Sequence, residues 1–486
     1  MKIHIDKLFL LPVLIASLGL LLPGRVPAQT FTPLHVFTTD PYPYTNTDGA
    51  HPYDGLILSG NTLYGTASVG GRWGEGTVFA INTNNMVFTN LYDFTITAWN
   101  NGETEEVNND GFVPNGGLIL SGGTLYGTAQ LGGTNGFGTV FALSTNGQNF
   151  ITLHPFSNLD GAHPEAGLLL SGSTLYGTAA GGGNGGSGTV FAINTNGMGF
   201  TNLYSFSTEA TNALGNYTNF DGANPIAGLL ISGNTLYGTT YAGGTNGFGT
   251  VFSVSIYGTG FTNLHTFTAT SGPLSTNSDG ATPYARLLLA GSTLYGTASA
   301  GGTNGTGALF SISTNGLNFK NLYSFSSSVD YGPNSDGANP LGGLILSSNI
   351  LYGTARNAGT NGNGTLFAIN TNGTGFTTLH NLNASDDGSY PGAGLILISG
   401  ALYGSAAFGG GGGSGTVFSL SLGSISPPQL TITLSGTNVI LTWAAAGYTL
   451  QSTTNLAPPA VWDPVSGQNA VTNPISGTHK FYRLSQ

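Results

Sequence analysis

The sequence predicts an all-β fold: a seven-bladed β-propeller closed by an N-terminal outer strand, plus a small C-terminal β-sandwich-like module. Three observations carry this. First, Leu-Tyr-Gly-Thr or a near variant begins at Leu63, Leu125, Leu175, Leu236, Leu294, Leu351 and Leu402, at intervals of 62, 50, 61, 58, 57 and 51 residues. Second, each interval holds four short strand-like stretches separated by Gly, Asn and Ser, as antiparallel hairpins require. Four strands repeated seven times is the count of a seven-bladed propeller. Third, the 486 residues include 80 glycines and no cysteine, with 39% hydrophobic, 11% aromatic and only 6% charged residues. That balance excludes a disordered chain and gives no amphipathic helical pattern. It also excludes a disulfide framework, a thiolate nucleophile and a Cys-ligated zinc site.

Taken in chain order, residues 1–28 read as a signal peptide. Lys2 and Lys7 flank a short n-region, Leu8–Leu22 is an apolar run, and Val26-Pro27-Ala28 supplies a small-residue cleavage pattern. The run is short for a bilayer span, so the mature chain is expected to have no membrane span. Without 1–28 it has six basic and nineteen acidic residues, a net −13. Such a balance speaks against nucleic acid as a partner.

The propeller is expected over 29–423. In the fourth unit the strands are predicted at Gly228–Ile231, Thr235–Thr239, Gly249–Val254 and Phe261–Phe267. The fourth-strand pattern Phe-Thr-x-Leu-x-x-Phe appears first at Phe31–Phe37, before any other strand type, and the last unit stops after its third strand. The N-terminal strand is therefore expected to complete the last blade and hide its edge. First strands such as Leu118-Ile119-Leu120 are continuous apolar runs, which predicts burial on both faces. The repeated tyrosines (Tyr64, Tyr126, Tyr176, Tyr237, Tyr295, Tyr352, Tyr403) are read as inter-blade packing.

The unit G-L-[IL]-L-S-G-x-T-L-Y-G-T-A-x-x-G-G-x-x-x-G-T-V-F, at Gly117–Phe141 and Gly167–Phe191, resembles the GloVer tandem-repeat family over about residues 31–422. The resemblance implies an exported bacterial repeat protein with a C-terminal anchoring or sorting module, and it implies no activity. The Gly-Gly after the second strand also resembles Kelch blades, without the Kelch Trp. A linker at 424–428 ends at Pro427-Pro428, and glycine content falls after it. Residues 429–486 alternate at Leu430–Leu434, Val439–Trp443 and Tyr448–Ser452, with a final strand near Phe481–Leu484. They read as a β module for sorting or attachment, with Trp443 and Trp462 in its core.

Strand alternation puts the Gly-rich second-to-third loops and the blade-to-blade connections on one face. The connections vary most in length, which marks that face for interaction. Every unit carries Asp-Gly-x-x-Pro there, at Asp48, Asp110, Asp160, Asp221, Asp279, Asp336 and Asp387. The preferred reading is an Asx-type turn. The alternative is a ring of carboxylates holding Ca²⁺, which asks for six to eight oxygen ligands. No other cofactor is indicated. His51 and His163 read as turn residues.

Residues that break the repeat are the better ligand-binding candidates. After the Asp-Gly-x-x-Pro proline these are Tyr53 and Asp54, Glu165, and Tyr284 with Arg286, which stands where the other six units have Gly. All should gather at the channel mouth. Arg286 opposite Asp54 or Glu165 would grip a sugar or carboxylate, or else form an ordinary salt bridge. Trp73 and Trp99 join the list, and with Tyr217 they are aromatic insertions that support a binding face. No catalytic constellation is assignable: Gly409–Gly415 leads into a strand and lacks Lys, and there is no Gly-x-Ser-x-Gly elbow. The expected function is a monomeric, secreted or cell-surface bacterial propeller, non-catalytic, binding an extracellular glycan or protein through its variable face. The alternatives are a polysaccharide lyase or hydrolase using Arg286, Tyr284 and Asp54 or Glu165, and a structural envelope or matrix protein.

Overall fold

The computed structural model describes residues 29–423 apart from 42–43, 100–105, 273 and 329–331. Beyond these it describes 431–435, 438–442, 449–454, 463–465, 470–474 and 481–485. The expected leader and linker, and Trp443 and Trp462, lie outside the described residues. The chain forms two compact units, one spanning Phe31–Leu420 and the other holding Ser421–Gln486.

The first unit is the seven-bladed propeller. Blade 1 is built from Ile57–Ser59, Thr62–Ala67, Thr77–Asn82 and Phe88–Asp93, paired in that order. The next five blades repeat the plan. In the fourth, the strands are Leu230–Ser232, Thr235–Thr240, Thr250–Ser255 and Thr262–Thr266, each within two residues of the expectation. In the seventh, Ile396–Ile398, Ala401–Ala406 and Thr416–Ser421 are completed by the N-terminal strand Thr30–Val36, and the Phe37 N–H donates to Gly415 O at 3.0 Å. The ring is closed by the exchange the repeat count demanded. It covers the third strand of the last blade, which would otherwise be the exposed edge.

The central Gly of Leu-Tyr-Gly-Thr pairs directly with the third-strand Phe, as Gly65 does with Phe79. A Cβ on Gly65 would lie 2.6 Å from the Phe79 ring, so the ring needs the missing side chain. Phe79, Phe141, Phe191, Phe252, Phe310, Phe367 and Phe418 are fully buried, each contributing about 2 kcal/mol of apolar burial. The motif tyrosines pack across blade boundaries: Tyr64 and Phe94 of blade 1 share a cluster with Leu118, Leu125 and Phe141 of blade 2. A bulge between the third-strand Val or Leu and Phe, as at Val78/Phe79 and Leu309/Phe310, shifts the pairing to the fourth strand and adds twist.

One expectation fails. The first strands are not buried on both faces; they are three residues long and half-exposed, with Leu58 36% exposed. In five blades an apolar residue of this strand, such as Ile57 or Leu230, lines the central channel, which leaves one side open. The double-sided burial belongs to the second and third strands.

The second unit pairs Thr431–Ser435, Asn438–Thr442 and Ala470–Pro474 in one sheet, and Asp463–Pro464, Thr449–Thr453 and Phe481–Ser485 in another. Leu441 and Leu450, one from each sheet, form its buried centre. Among the described residues no helix is long and apolar enough to cross a membrane.

Candidate binding site at the channel mouth

The Asp-Gly-x-x-Pro turn sets the mouth. Its Asp reaches back to the fourth strand of the preceding blade. Asp110 accepts from Tyr92 Oη at 2.8 Å, from Thr95 N at 2.9 Å and from the Thr95 hydroxyl. Asp221 and Asp336 do the same with Tyr204 and Tyr323, and with Ser207 and Ser326. In the other four turns the aromatic partner is histidine: His35–Asp48 at 2.9 Å, His154–Asp160 at 3.1 Å, His265–Asp279 at 2.9 Å and His380–Asp387 at 2.8 Å. Each of these tyrosines and histidines also stacks on a Phe of the next blade, at 3.7 to 4.4 Å between centroids. In five of the turns the Asn two residues earlier fixes the turn itself. Asn46 Oδ1 accepts from Gly49 N and Gly71 N, while its Nδ2 donates to Gly49 O and Thr38 O.

The seven carboxylates are thus engaged as blade-to-blade latches, while the Asx-type turn expected of them is made in five units by the preceding Asn. Among the described residues no group of three or more His, Cys, Asp or Glu is arranged to hold a metal ion. The residue before each proline, His51 and His163 included, has φ between 51° and 59°. That backbone aims the following segment at the axis.

Past the proline, residues from all seven blades converge on one cavity of about 550 Å³, lined by the segments that lead into the first strands and, in five blades, by the strands themselves. Tyr53, Asp54, Glu165, Tyr284 and Arg286 all line it, as expected from their breaks in the repeat. Among the described residues Asp54 takes no salt bridge. Its carboxylate accepts from Gly55 N at 2.6 Å and from Gly117 N of the next blade at 2.5 Å. Burial raises its pKa, against those two N–H bonds and the more distant Arg286 charge. Glu165 is also raised by burial and accepts from Gln130 Nε2 at 2.8 Å; Gln130 in turn accepts from Asn115 Nδ2 at 2.7 Å. Tyr284, 36% exposed, is pushed up to about 12 by burial, with Glu165 and Asp54 adding to the shift. Burial depresses Arg286, opposed by Asp54, and guanidinium remains a cation at neutral pH.

Sequence reasoning missed Arg356 and Tyr390, which also line the cavity, with the Arg356 guanidinium 5.7 Å from the Tyr390 ring centre. Gln130, Tyr241 and Arg356 share one position, directly after Leu-Tyr-Gly-Thr-Ala or its variant. The variability of that position was the available signal. Trp73 does not line the cavity; it is 40% exposed on the second-to-third loop of blade 1, under the Arg72 guanidinium at 4.7 Å. Trp99 sits in a short hairpin, Ala98–Trp99 with Glu106–Val107, and Tyr217 in another, Ala210–Thr211 with Tyr217–Thr218. Both hairpins lie in the long blade connections; the Trp99 side chain falls outside the described residues.

A model of the Gloeobacter/Verrucomicrobia repeat matches residues 104–213, 207–336 and 329–433, and the chain belongs to that family. No curated protein matches it. Solved structures similar to it include a nidogen/laminin complex, at 13% identity and a TM-score of 0.38 over 66% of this chain and 93% of that one. Another is oligogalacturonate lyase from Vibrio parahaemolyticus, at 9% identity and a TM-score of 0.46 over 81% and 97%. Likenesses this distant assign no chemistry.

Proposed function

We propose that this member of the Gloeobacter/Verrucomicrobia repeat family is a non-catalytic binding propeller, secreted or held at the cell surface, that takes a saccharide-sized ligand into the mouth of its central channel. The observation that carries this reading is the convergence of Tyr53, Asp54, Glu165, Tyr284, Arg286, Arg356 and Tyr390 on one cavity. Its volume of about 550 Å³ suits a small ligand. An apolar wall of first strands below a rim of tyrosines and charges suits a sugar, which presents C–H faces and hydroxyls together. A recessed mouth favours a glycan over a folded protein, which needs a broad contact area.

Catalysis by the same residues has less to work with, because both Asp54 oxygens are tied to peptide N–H groups. The test is binding of residues 29–486 to a glycan array with and without EDTA. Binding that persists in EDTA is expected. Absence of binding to any glycan would refute the reading, and release of new reducing ends from a bound glycan would replace it with an enzymatic one.

A further inference from the structure

Between residues 31 and 420 the chain has four cationic side chains, Arg72, Arg286, Lys320 and Arg356, among eighteen carboxylates. Two of the four line this one cavity. The carboxylates that share it are already hydrogen-bonded: Asp54 to two backbone N–H groups and Glu165 to Gln130. Arg286 is not. Among the described residues no carboxylate lies within salt-bridge distance of it, and its guanidinium has no hydrogen-bond partner. In the other six blades its place is taken by Gly55, Gly117, Gly167, Gly228, Gly343 and Gly394. An Arg in this row is therefore not needed to build a blade.

The insertion coincides with a structural defect. In six blades the second-strand Thr or Ser donates to a carbonyl of the next blade's mouth: Thr66 to Gly116, Thr128 to Ala166, Thr178 to Ala227, Thr297 to Gly342, Thr354 to Ala393 and Ser405 to Asp54. At the boundary leading to Arg286, the equivalent Thr239 hydroxyl is buried with no partner. Local rules broken at one place in an otherwise regular fold point to function there.

Resting on that reading of the cavity, we infer that the ligand is a uronate-bearing saccharide whose carboxylate is held by the Arg286 guanidinium. A guanidinium fork matches a planar carboxylate through two parallel N–H···O bonds. Arg356 adds a second positive charge at the same mouth, and Tyr53, Tyr284 and Tyr390 are the surfaces for the sugar faces. A singly charged group is tolerated beside Asp54 and Glu165, whereas a phosphate dianion meets their repulsion twice over.

The experiment is titration calorimetry of residues 29–486 with trisaccharides of glucuronate, galacturonate, mannuronate and guluronate. Each is paired with the same trisaccharide after reduction of its carboxyls to alcohols, and sulfated neutral trisaccharides form a further arm. At least one uronate is expected to bind, with its reduced partner at least tenfold weaker. Arg286→Gly, which installs the residue of the other six blades, is expected to weaken the uronate roughly 10- to 100-fold, the range for a charged hydrogen bond, and to weaken the reduced sugar by only a few-fold. Arg286→Lys keeps the charge without the fork and should fall between. If reduced or sulfated sugars bind as well as uronates, or Arg286→Gly has no effect on the uronate, the carboxylate assignment is overturned while the binding cavity stands. If neither these sugars nor any array glycan binds, the cavity reading itself falls.

Discussion

Asp48→Ala tests the closure of the ring where the chain is weakest. Asp48 lies at the seam between the N-terminal strand and blade 1, its side chain 7% exposed. It accepts from His35 Nε2 at 2.9 Å, from Thr38 N at 3.1 Å and from the Thr38 hydroxyl. Bonds to a charged acceptor contribute roughly 1.5–3 kcal/mol each, and water reaching the vacated site returns part of that. A net cost of about 3–5 kcal/mol follows. At about 1.4 kcal/mol per factor of ten, amide exchange across 30–37 should accelerate roughly a hundredfold or more in a chain of residues 29–486, where this strand is continuous with the ring at its C-terminal end only. Asp110→Ala removes the matching set of bonds, from Tyr92 and Thr95. There, however, the strand Phe88–Asp93 is held by chain on both sides, so its exchange should rise far less. Hydrogen exchange read by mass spectrometry separates the two. Equal acceleration in both variants, or less than threefold at 30–37 in Asp48→Ala, would refute the latch as the device that closes the ring.

The remaining predictions concern packing, seams and acid. Gly65→Ala places a methyl 2.6 Å from the Phe79 ring and 2.9 Å from Leu56 Cδ2. It should cost about 2 kcal/mol by overpacking, whereas Gly411→Ala, with nothing within 4 Å, should stay within about 0.5 kcal/mol of the parent in denaturant titration. Thr354→Val removes the 3.0 Å bond to Ala393 O and should cost about 1 kcal/mol, while Thr239→Val, which deletes a buried hydroxyl without a partner, should be neutral or stabilising. Acid should weaken the fold in two stages. His51 and His154 are held below 6.5 by burial; their neutral forms favour the folded state, so this contribution is complete above about 6.5 and fades as pH falls below it. Asp48 and Asp279 are held below the usual carboxylate value by bonds from His35 and Thr38 and from His265 and Thr268, against burial. Their contribution is complete above about 3.9 and is lost as pH falls through the depressed values. Thermal midpoints measured from pH 8 to pH 2.5 should show both declines, and an unchanged midpoint down to pH 3 would count against the His contribution.

The blade count, the strand positions and the exchange at the termini were legible because they rest on residues repeated seven times. Leu-Tyr-Gly-Thr marks the second strand, and Phe31–Phe37 is a fourth strand out of place at the front. The direction in which each Asp latches was not legible. Asp110 and Tyr92 are eighteen residues apart, with a hairpin between them, and nothing local says that the carboxylate looks back rather than toward the axis. The half-exposure of the first strands was misread for a related reason. An apolar run looks the same whether it faces a core or an open channel, and only the ring's diameter distinguishes them. Five of the seven polar and aromatic residues of the mouth, Tyr53, Asp54, Glu165, Tyr284 and Arg286, were found from breaks in the post-proline segment. Arg356 and Gln130 were missed because their position follows the motif instead of preceding it, and Tyr390 because several residue types occupy its left-handed turn.

The repeated and the unrepeated residues divide the work of this propeller. A residue present in all seven blades must satisfy seven equivalent environments, so it can carry packing or a latch but cannot by itself give the mouth a direction. The Asp row shows this: seven carboxylates, each bonded to the preceding blade's fourth strand or the residues just beyond it. Asymmetry has to come from substitutions that a single blade can absorb. Arg286 is the largest of these, a guanidinium in place of hydrogen, and its blade differs in backbone as well. There the second strand runs eight residues, Thr293–Ala300, and pairs with an added strand, Ala281–Pro283, just before Tyr284. The orphaned Thr239 hydroxyl marks the other side of the same seam. A buried unpaired hydroxyl costs about 1–3 kcal/mol, and the other six seams pair the equivalent hydroxyl. That cost makes a ligand gripped on one side of the ring, near blade 5, a better account of the mouth than a symmetric channel.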